Sequence, residues 1–463
     1  MAATTAYDEA KALHDRGELE AAANAYRRAV AAEPGHFRAL HNLGVIEEAL
    51  GRTEEAEKAY ASAIEANPDG PLSHYSLARL RQLDSRLDEA EAGYRRAIEL
   101  DPGLAEAHFN LGQLLLERGA APAAEAMLRE AVRAGFVAPG ATGMLGDALF
   151  AQRRLHEALE QYKRRAEEAP GDAMAQFDVA KTLEFMKRSD EAIECYRKSL
   201  ALEPASTAAN EGLVRALDAA GRRDEALAAV RDWIARDPVA PVARHMLASL
   251  GGAAAPARAS DAYVANTFDR FAGDFDATLA RLDYRAPQLV MGAAAVLLGE
   301  PGGDLDVLDA GCGTGLAGPM IRPWAKRMEG VDLSGEMLLR AHRRGGYDAL
   351  HHAELAEFLG REAAAWDLIV SADTLCYFGA LEEVFAAAAQ ALRPGGVLVF
   401  TLERLQQGVR FALNAHGRYA HEEKYVHAAL ADAGFEVTPG RGMLRMEGGV
   451  AVEGLVIGGR RRP

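Results

Sequence analysis

Apolar residues recur with two different spacings along this chain. Through the first half, small and large apolar residues return every 34 residues. An alanine column keeps this period without a break, at Ala22, Ala56, Ala90, Ala124, Ala158, Ala192 and Ala226. A proline column follows at Pro34, Pro68, Pro102, Pro170, Pro204 and Pro238, with Phe136 in place of one proline. Such a period predicts pairs of helices, each pair burying one face on the next.

Past residue 300 the pattern changes to short apolar runs separated by helical segments. The runs at 305–309, 367–371 and 396–402 have the length and composition of buried parallel strands. Helical spacing at 335–344 and 381–392 separates them. The alternation of strand and helix predicts an α/β sheet.

After residue 403 the pattern changes again. It predicts a helix over 422–433 and strands over 435–437, 442–446 and 450–457. An antiparallel pair at the edge of the sheet fits the last two strands.

The loop after the first strand carries the most informative motif. Gly311, Gly313 and Gly315 follow a strand that ends in Asp309. Glycine lets a backbone turn tightly and come close to a ligand. Residues 316–327 are predicted to form a helix, so that the loop opens a β-α unit. Doubly wound sheets bind nucleoside-containing cofactors at such a place.

Two carboxylates distinguish between the possible cofactors. The dinucleotide fingerprint is also rich in glycine, so a nicotinamide enzyme is one alternative. The Asp309 carboxylate can accept a hydrogen bond from the ammonium of a methionine moiety, whereas it would repel a pyrophosphate. The next strand, predicted at 328–331, ends in Asp332, whose carboxylate can accept hydrogen bonds from both ribose hydroxyls. The pair favours S-adenosyl-L-methionine, although either aspartate alone is compatible with a structural role.

These motifs resemble those of class I S-adenosylmethionine-dependent methyltransferases. Residues 307–315, Val-Leu-Asp-Ala-Gly-Cys-Gly-Thr-Gly, are similar to the first motif of that family. Residues 331–337 are similar to its second motif, 366–373 to its fourth strand, and 392–400 to the turn into its fifth. The resemblance implies a Rossmann-like doubly wound sheet with an antiparallel edge and S-adenosyl-L-methionine as the cofactor. It leaves the methyl acceptor open.

The resemblance also implies which residues bind the cofactor. In that family the second motif holds the ribose and packs on adenine, which matches Asp332 and Met337, and an acid near Glu354 meets the adenine amino group. The positions expected to bind the cofactor in the core are Asp309, Ala310, Gly311, Gly313, Gly315, Asp332, Leu333, Met337, Glu354, Leu355 and Ala372.

The segment 263–287 resembles the stretch that precedes the core in bacterial methyltransferases fused to tetratricopeptide repeats. In related methyltransferases such a helix closes over the cofactor. The resemblance therefore implies that Phe271, Phe275, Tyr284 or Arg285 covers the methionine end. An arginine can bind the cofactor carboxylate through two parallel hydrogen bonds. Ordinary helix packing is the alternative for the aromatic residues.

Four residues are candidates for a catalytic base. Methyl transfer from a sulfonium is an in-line displacement, and alignment supplies much of its rate. A base can assist a hydroxyl, carboxyl or amine acceptor. Asp373 and Tyr377 follow the fourth strand, and His416 and His421 lie in a polar loop at 414–421. A solvated loop with ordinary histidines is the alternative.

The first half resembles tetratricopeptide arrays. Seven repeats over 3–238 and a capping helix over 239–250 predict an all-α superhelical solenoid at 1–250, then a linker at 251–260 and the methyltransferase domain at 261–463. The resemblance implies that one column of the first helices lines the concave face. Its rings are Tyr7, His41, Tyr75, Phe109 and Phe177. The rings could hold a peptide or an apolar ligand, or else pack against neighbouring repeats or the second domain.

Composition limits the partners. The formal net charge is −16, and acidic residues outnumber basic ones on both sides of residue 250. A nucleic-acid substrate calls for a basic face, so it is disfavoured. The fourth strand is also not followed by the Asn-Pro-Pro-Tyr or Pro-Cys of the familiar nucleic-acid-methylating enzymes. The three cysteines have no metal-ligand spacing, so no metal site is expected. No signal segment or membrane span is predicted, which indicates a cytoplasmic protein.

The sequence thus predicts an S-adenosyl-L-methionine-dependent methyltransferase, whose acceptor is a protein or peptide recruited by the repeats. Two alternatives stay open. One is a small-molecule O- or N-methyltransferase whose repeats recruit a partner or form a dimer. The other is a scaffold that binds the cofactor without turnover. The oligomeric state is not determined by the sequence.

Overall fold

The structure, a computed structural model, describes residues 2–136, 139–406 and 408–463. The chain divides into two compact units, Met1–Ala220 and Gly221–Pro463. The domain boundaries drawn from the sequence at 250 and 261 stay predictions.

The first unit consists of helices that pack in consecutive pairs. Each odd-numbered helix up to α11 packs against the even-numbered helix that follows it. The helices are α1 (Ala2–Asp15), α2 (Leu19–Ala32), α3 (Phe37–Ala49), α4 (Thr53–Ala66), α5 (Pro71–Leu83), α6 (Leu87–Leu100), α7 (Ala105–Glu117), α8 (Ala121–Arg133), α9 (Pro139–Ala151), α10 (Leu155–Glu168), α11 (Ala173–Phe185), α12 (Ser189–Leu202) and α13 (Thr207–Ala219).

Close packing between neighbouring helices explains the repeated columns. All seven members of the alanine column are fully buried. A Cβ at Gly44 would lie 2.6 Å from the ring of Tyr60, and one at Gly212 would lie 2.4 Å from the ring of Tyr196. Both rings are fully buried. Gly44 and Tyr60 lie on the two helices of one pair, whereas Gly212 of α13 faces Tyr196 on the second helix of the preceding pair. In both cases a glycine of one helix lies where its neighbour inserts a ring, which is a pairing of small and large residues.

The second unit contains an α/β domain and the helices that precede it. Its elements are α14 (Arg223–Arg236), α15 (Pro241–Ser249), α16 (Asp261–Phe271), α17 (Phe275–Arg281), α18 (Ala286–Leu298), β1 (Leu305–Ala310), α19 (Gly318–Ile321), β2 (Ala325–Asp332), α20 (Gly335–Arg344), β3 (Ala349–His352), α21 (Leu355–Arg361), β4 (Trp366–Ser371), α22 (Glu382–Ala391), β5 (Leu392–Leu405), β6 (Phe411–Leu413), β7 (Tyr419–Glu422), α23 (Glu423–Asp432), β8 (Phe435–Thr438), β9 (Arg441–Glu447) and β10 (Val450–Arg461).

The sheet has the strand order β3-β2-β1-β4-β5-β10-β8. The pairs from β3 to β5 are parallel, whereas β10 is antiparallel to both β5 and β8. This is the doubly wound sheet with an antiparallel edge that the sequence predicted. The chain order reverses between β1 and β4, and ligands of such sheets bind at the carboxyl ends of the strands beside that point.

Successive residues of β1 face opposite sides of the sheet. Val307 packs with Val290 and Ala294 of α18, whereas Leu308 packs in the cluster that contains Phe385 of α22. Because both faces of the strand are covered by helices, four of its six residues are apolar.

The helix predicted over 316–327 is wrong in length. The α-helix α19 is only four residues long, a 3-10 helix follows at Arg322–Trp324, and β2 begins at Ala325 rather than at 328. Pro319 lies in the first turn of α19, where proline is tolerated. Pro323 follows four residues later; it has no N–H to donate and its ring would clash with the carbonyl of residue 319, so the helix ends.

The polar stretch predicted as a loop at 414–421 forms the end of a β-hairpin instead. β6 and β7 are antiparallel, and β7 also pairs with the end of β5. The turn is closed by the N–H of Asn414, which donates to the carbonyl of Arg418 at 2.9 Å. Among the residues that the structure describes, no helix is both long and apolar enough to cross a membrane.

Candidate cofactor and acceptor site

The glycine loop lies at the carboxyl end of β1, beside β4. Gly311, Gly313 and Gly315 have φ angles of 81°, 54° and 79°, which L-residues with a side chain rarely adopt. A Cβ at Gly311 would lie 2.1 Å from Oγ1 of Thr374, in the loop that follows β4. The first glycine is therefore required both by its backbone conformation and by its neighbour.

Asp309 is a buried carboxylate at the end of β1, only 1% exposed. The Tyr347 hydroxyl donates a hydrogen bond to Oδ2 of Asp309 at 2.7 Å. Burial raises the pKa of Asp309 to about 7; the Tyr347 hydrogen bond lowers it and the charge of Asp332 raises it. No cation contributes to this shift, so a positively charged ligand group beside Asp309 would stabilise its ionised form.

Asp332, at the end of β2, is hydrogen-bonded to the glycine loop. Its two carboxylate oxygens accept hydrogen bonds from the N–H of Gly313 and the N–H of Ser334, each at 2.9 Å. Burial raises its pKa, and these backbone hydrogen bonds lower it. An ionised carboxylate has about four acceptor positions, so Asp332 can still accept hydrogen bonds from a ligand.

Glu354 caps the N-terminus of α21. Its Oε2 accepts a hydrogen bond from the N–H of Glu357 at 2.7 Å. Its Oε1 is buried and has no hydrogen-bond partner in the part of the chain that the structure describes; a guanidinium nitrogen of Arg258 lies 4.0 Å away. An amino group of a ligand would satisfy this oxygen.

The other predicted cofactor-binding residues fall into two groups. Ala310, Met337 and Leu355 are buried, and Leu333 and Ala372 are partly buried.

Tyr284 and Arg285 differ in their surroundings. Tyr284 is partly buried; burial raises the pKa of its phenol, and the charge of Asp373 raises it further. Arg285 is exposed, and its guanidinium binds the carboxylate of Asp283 at 2.6 Å. The structure therefore brings Tyr284 to the site and directs Arg285 to a neighbour outside it.

Two helices before the sheet are fastened to the site. In α16, the carboxylate of Asp269 accepts hydrogen bonds from the Ser334 hydroxyl at 2.5 Å and from the N–H of Glu336 at 3.3 Å. In α17, the carboxylate of Asp276 accepts hydrogen bonds from the Thr314 hydroxyl at 2.5 Å and from the guanidinium of Arg344. No local pattern marks these contacts, because they join residues 38 to 68 positions apart.

Aromatic side chains of the same helices lie beside the glycine loop. The Phe275 ring lies 3.9 Å from the position of a Cβ on Gly313. Its centroid is 5.5 Å from that of Phe271 and 6.0 Å from that of Phe268, which lies 5.4 Å from Tyr377. Phe268, Phe271 and Phe275 thus form one aromatic cluster, and the cover of a cofactor by Phe271 and Phe275 stays a prediction.

Asp373 follows β4 and has a φ of 59°, unusual for a residue with a side chain. Its Oδ2 accepts a hydrogen bond from Nη1 of Arg445 at 2.6 Å, and its backbone N–H donates to the Thr401 hydroxyl at 2.9 Å. Oδ1 is buried without a hydrogen-bond partner among the described residues. Asp373 thus offers one free acceptor atom.

The other candidates for a base occupy different environments. His421 is fully buried in β7, its Nε2 lies 3.0 Å from the carbonyl oxygen of Gly379, and burial lowers its pKa to about 4. This position favours a structural role. His416 is partly exposed, with Nε2 3.4 Å from a carboxylate oxygen of Glu403. Tyr377 is partly buried, and burial raises the pKa of its phenol.

Asp373 belongs to a cluster of charged side chains, the ionic cluster, that the sequence analysis missed. The other members are Arg445, Glu403, Arg418 and Glu447. Arg445 is 3% exposed and directs its Nη1, Nη2 and Nε to Asp373, Glu403 and Glu447. Arg418 pairs with Glu403 at 2.6 Å and with Glu447 at 2.5 Å. Four strands or strand ends supply these residues, so no local motif marks them. Across the described ranges no group of side chains has the arrangement of a metal site.

Four of the five predicted concave rings of the first unit pack against a buried tyrosine on the second helix of the same pair, and the fifth, Phe109, packs against Phe136. Tyr7 lies 5.9 Å from Tyr26, and Phe177 lies 5.8 Å from Tyr196, between ring centroids. His41 and Tyr75 make equivalent pairs, and Phe109 stacks on Phe136 at 4.4 Å. All five rings stay partly exposed. They therefore contribute to packing and still present surface to a ligand.

Comparison with known families accounts for both parts of the chain. Residues 278–439 match a family model described as a methyltransferase domain. Residues 7–71, 122–173 and 186–250 match tetratricopeptide repeat models, and 85–119 match a further repeat model. The chain thus carries tetratricopeptide repeats and a methyltransferase domain, as the sequence motifs predicted.

Several curated methyltransferases are similar to part of this chain. A malonyl-[acyl-carrier protein] O-methyltransferase of Serratia marcescens is 34% identical over 36% of this chain and 62% of its own length. A ubiquinone biosynthesis O-methyltransferase of Aromatoleum aromaticum is 31% identical over 23% of this chain and 48% of its own length. Human methyltransferase-like protein 27 is 37% identical over 19% of this chain and 37% of its own length. The chain therefore spans less than two thirds of each of these relatives.

Solved structures similar to the chain are tetratricopeptide proteins. YrrB, described as a tetratricopeptide protein with an unusual peptide-binding site, is 25% identical over 41% of this chain and 97% of its own, with a TM-score of 0.38.

Proposed function

We propose that the second unit binds S-adenosyl-L-methionine at the carboxyl end of β1 and β4 and transfers its methyl group to a protein or peptide recruited by the repeats. One observation carries the proposal. Asp309, the three glycines with positive φ, and Asp332 lie together where the strand order reverses. This is where doubly wound sheets bind nucleoside-containing cofactors.

The unsatisfied groups of the site match the polar groups of this cofactor. No cation of the described residues acts on the pKa of Asp309, and the ammonium of the methionine moiety would supply one. Asp332 has acceptor positions left for the two ribose hydroxyls. Oε1 of Glu354 is buried without a partner among the described residues, and the adenine amino group is a donor that fits it.

The protein's own part in the reaction is binding and alignment. When bound, the cofactor supplies a methyl group on a positively charged sulfur. Asp309 and Asp332 would hold the two ends of the cofactor, and alignment of the acceptor with the methyl group accounts for much of the rate. The ring of Phe275 next to Gly313 would keep water from the reacting atoms.

The repeats support a macromolecular acceptor. Stacked helical repeats form extended concave surfaces that bind other proteins. The five rings from Tyr7 to Phe177 present partly exposed surface at a regular spacing along the array. A peptide could lie across several of them.

A small-molecule acceptor is the second candidate. Its support is the names of two relatives, which act on malonyl-[acyl-carrier protein] and in ubiquinone biosynthesis. In that case the repeats would recruit a partner rather than the substrate.

Calorimetric titration with S-adenosyl-L-methionine and S-adenosylhomocysteine tests the cofactor. Asp332→Asn keeps the size of the side chain and removes its charge, and hydrogen bonds to charged groups contribute about 1.5–3 kcal/mol. We expect the variant to bind about 10- to 100-fold more weakly than wild type. Asp432→Asn, an exposed position on α23, should bind like wild type. Folded wild-type protein that binds neither compound would refute the proposal.

Methyl-labelled cofactor incubated with lysate fractions tests the acceptor. Label on macromolecules supports a protein or peptide, label on small molecules supports the second candidate, and cofactor binding without transfer indicates a scaffold. Phe177→Ala should reduce label on macromolecules and leave cofactor binding unchanged. Leu202→Ala, which removes an exposed apolar side chain of α12, is the matched control and should have no effect.

A further inference from the structure

One oxygen of Asp373 is available to an acceptor. Arg445 holds Oδ2 at 2.6 Å, while Oδ1 is buried and has no hydrogen-bond partner in the described ranges. A buried acceptor atom without a donor is costly, so a ligand donor would be favoured there. The neighbouring residue, Thr374, touches Gly311 of the cofactor loop, so this oxygen lies beside the proposed cofactor site.

Both guanidinium groups of the ionic cluster around Asp373 are already paired with carboxylates. Three carboxylates, those of Asp373, Glu403 and Glu447, surround two guanidinium groups. Burial and the charge of Arg418 lower the pKa of His416, which favours its neutral form. The cluster therefore carries one excess negative charge, which would repel a carboxylate and attract an amine.

From these two observations we propose that the methyl acceptor is an amine or hydroxyl that donates a hydrogen bond to Oδ1 of Asp373, and that Arg445 is the positioning residue that holds this carboxylate. The proposal rests on the methyl transfer proposed above and names its acceptor class. It excludes a carboxylate acceptor.

The transfer step balances with these groups. A bond forms between the acceptor nitrogen or oxygen and the methyl carbon, and the bond from that carbon to sulfur breaks. The electron pair of the broken bond stays on sulfur and cancels its positive charge. The proton of the acceptor passes to Oδ1 of Asp373. Burial raises the pKa of Asp373 and outweighs the opposing charges of Arg445 and Arg418, which suits it to receive that proton.

The chemistry of the labelled product tests the acceptor class directly. Methyl-labelled cofactor is incubated with the full-length protein and lysate fractions, and the product is treated with mild alkali. A methyl ester releases volatile methanol, whereas a methylated amine or an ether keeps its label. We expect alkali-stable label. Blocking the amines of the fraction beforehand with an acylating reagent then separates amine from hydroxyl acceptors, both of which support the proposal.

Alkali-labile label would overturn this inference while leaving methyl transfer intact. Absence of label on any fraction, with cofactor bound, would overturn the proposed function and this inference with it. The two failures are therefore distinguishable.

Asp373→Asn tests the role of the free oxygen. It keeps the shape of the side chain and removes the base, and general bases contribute about 10²- to 10⁴-fold to rates. We expect transfer to fall at least about 100-fold, with calorimetric binding of S-adenosylhomocysteine changed less than about threefold. Transfer within about threefold of wild type would refute the role. Asp432→Asn is the matched control.

Arg445→Lys separates positioning from mere structural support. The charge of Arg445 lowers the pKa of Asp373. A lysine in its place cannot contact all three carboxylates as the planar guanidinium of Arg445 does. The acid limb of the pH profile for transfer should therefore move to higher pH, while S-adenosylhomocysteine binding and the melting temperature show that the site persists. An unchanged profile would refute the positioning role. The other charged or titratable groups that act on Asp373 or its immediate neighbours are Tyr284, Cys376, Glu403, Glu447, Arg418 and His416.

Discussion

Glycine has different tasks in the two units. In the repeats, Gly44 and Gly212 lie within α-helices and are needed because a tyrosine ring occupies the place of a Cβ. In the loop after β1, Gly311 and Gly315 have positive φ angles, and the loop has no regular structure. The first use serves packing between helices. The second holds backbone in a conformation that serves a ligand, which is typical of functional sites.

The comparison extends to polar groups. Two buried tyrosines of the repeats, Tyr60 and Tyr196, donate hydrogen bonds from their hydroxyls to glutamates of the preceding helix. At the site, Oε1 of Glu354 and Oδ1 of Asp373 are buried without partners among the described residues. These two tyrosines therefore find their partners within the repeats, although Nδ1 of His108 in α7 is buried without a partner among the described residues. The site instead keeps two carboxylate oxygens that a ligand can satisfy.

The largest effect is expected for Gly311→Ala. The φ of 81° is unfavourable for alanine, and the new Cβ would meet Thr374 at 2.1 Å. We expect calorimetric binding of S-adenosylhomocysteine to weaken more than about 100-fold, because both strain terms act on the ligand-binding loop. Gly335→Ala, at a position where a Cβ meets no atom within 4 Å, should bind within about threefold of wild type. Equal binding by both variants would contradict the assignment of the loop.

A second prediction concerns the charge of Asp309. Its folded pKa of about 7 lies above the unfolded value, so its stabilising contribution is complete below the unfolded pKa and is lost as pH rises through about 7. Over that window the wild type should lose up to about 4 kcal/mol of unfolding free energy relative to Asp309→Asn. Urea unfolding at several pH values measures the difference.

The same titration predicts proton release. If an ammonium binds at Asp309 near pH 6, the carboxylate ionises, and the binding enthalpy should vary with the ionisation enthalpy of the buffer. If the unfolding free energies of wild type and Asp309→Asn changed in parallel with pH, that result would contradict the environment described for Asp309. Asp432→Asn should follow the wild type.

The smallest effect is expected for Gly212→Ala in the repeats. Its Cβ would lie 2.4 Å from the ring of Tyr196, whose hydroxyl is held by Glu184. Overpacking costs about 1–3 kcal/mol, and the better helix propensity of alanine returns up to about 1 kcal/mol. We expect a net loss of roughly 1–2 kcal/mol in thermal or urea unfolding, with cofactor binding unchanged.

Gly292→Ala is the matched control for that variant. Gly292 lies inside α18, is exposed, and a Cβ there would meet no atom within 4 Å. Only the propensity term acts, so the variant should be slightly more stable than wild type. Two destabilised variants would show that the ring contact is not the cause.

Local patterns predicted much of this structure. The period of 34 residues marked the helix pairs because each pair is formed within one repeat. The sheet followed from apolar runs around Asp309, Gly311 and Asp332, which lie close together in the chain. Pro323 indicated that the helix predicted over 316–327 would be shorter, but the helical spacing of the apolar residues dominated that prediction.

The charged surroundings of the site could not be predicted in this way. Arg445 and Asp373 are 72 residues apart, and Arg445 and Glu403 are 42 apart. Their contact depends on β10 returning antiparallel to β5 and carrying β9 with it. No spacing in the chain encodes that arrangement. The roles of the candidate residues stay predictions that the variants above can test.

The segment 251–260, predicted as a linker, has a practical consequence for dissecting the protein. The carbonyl of Ala257 accepts hydrogen bonds from the N–H groups of Gly379 and Ala380, and the carbonyl of Pro256 accepts one from the Tyr419 hydroxyl. In α15, Nε2 of His245 lies 2.8 Å from the carbonyl oxygen of Gly417.

A fragment expressed from residue 261 would lose all of these contacts and expose the buried surface beneath them. A fragment that begins at Gly221, before α14, keeps them. Efforts to graft the methyltransferase domain onto other repeat arrays should therefore place the splice ahead of α14 and transfer α14 and α15 together with that domain.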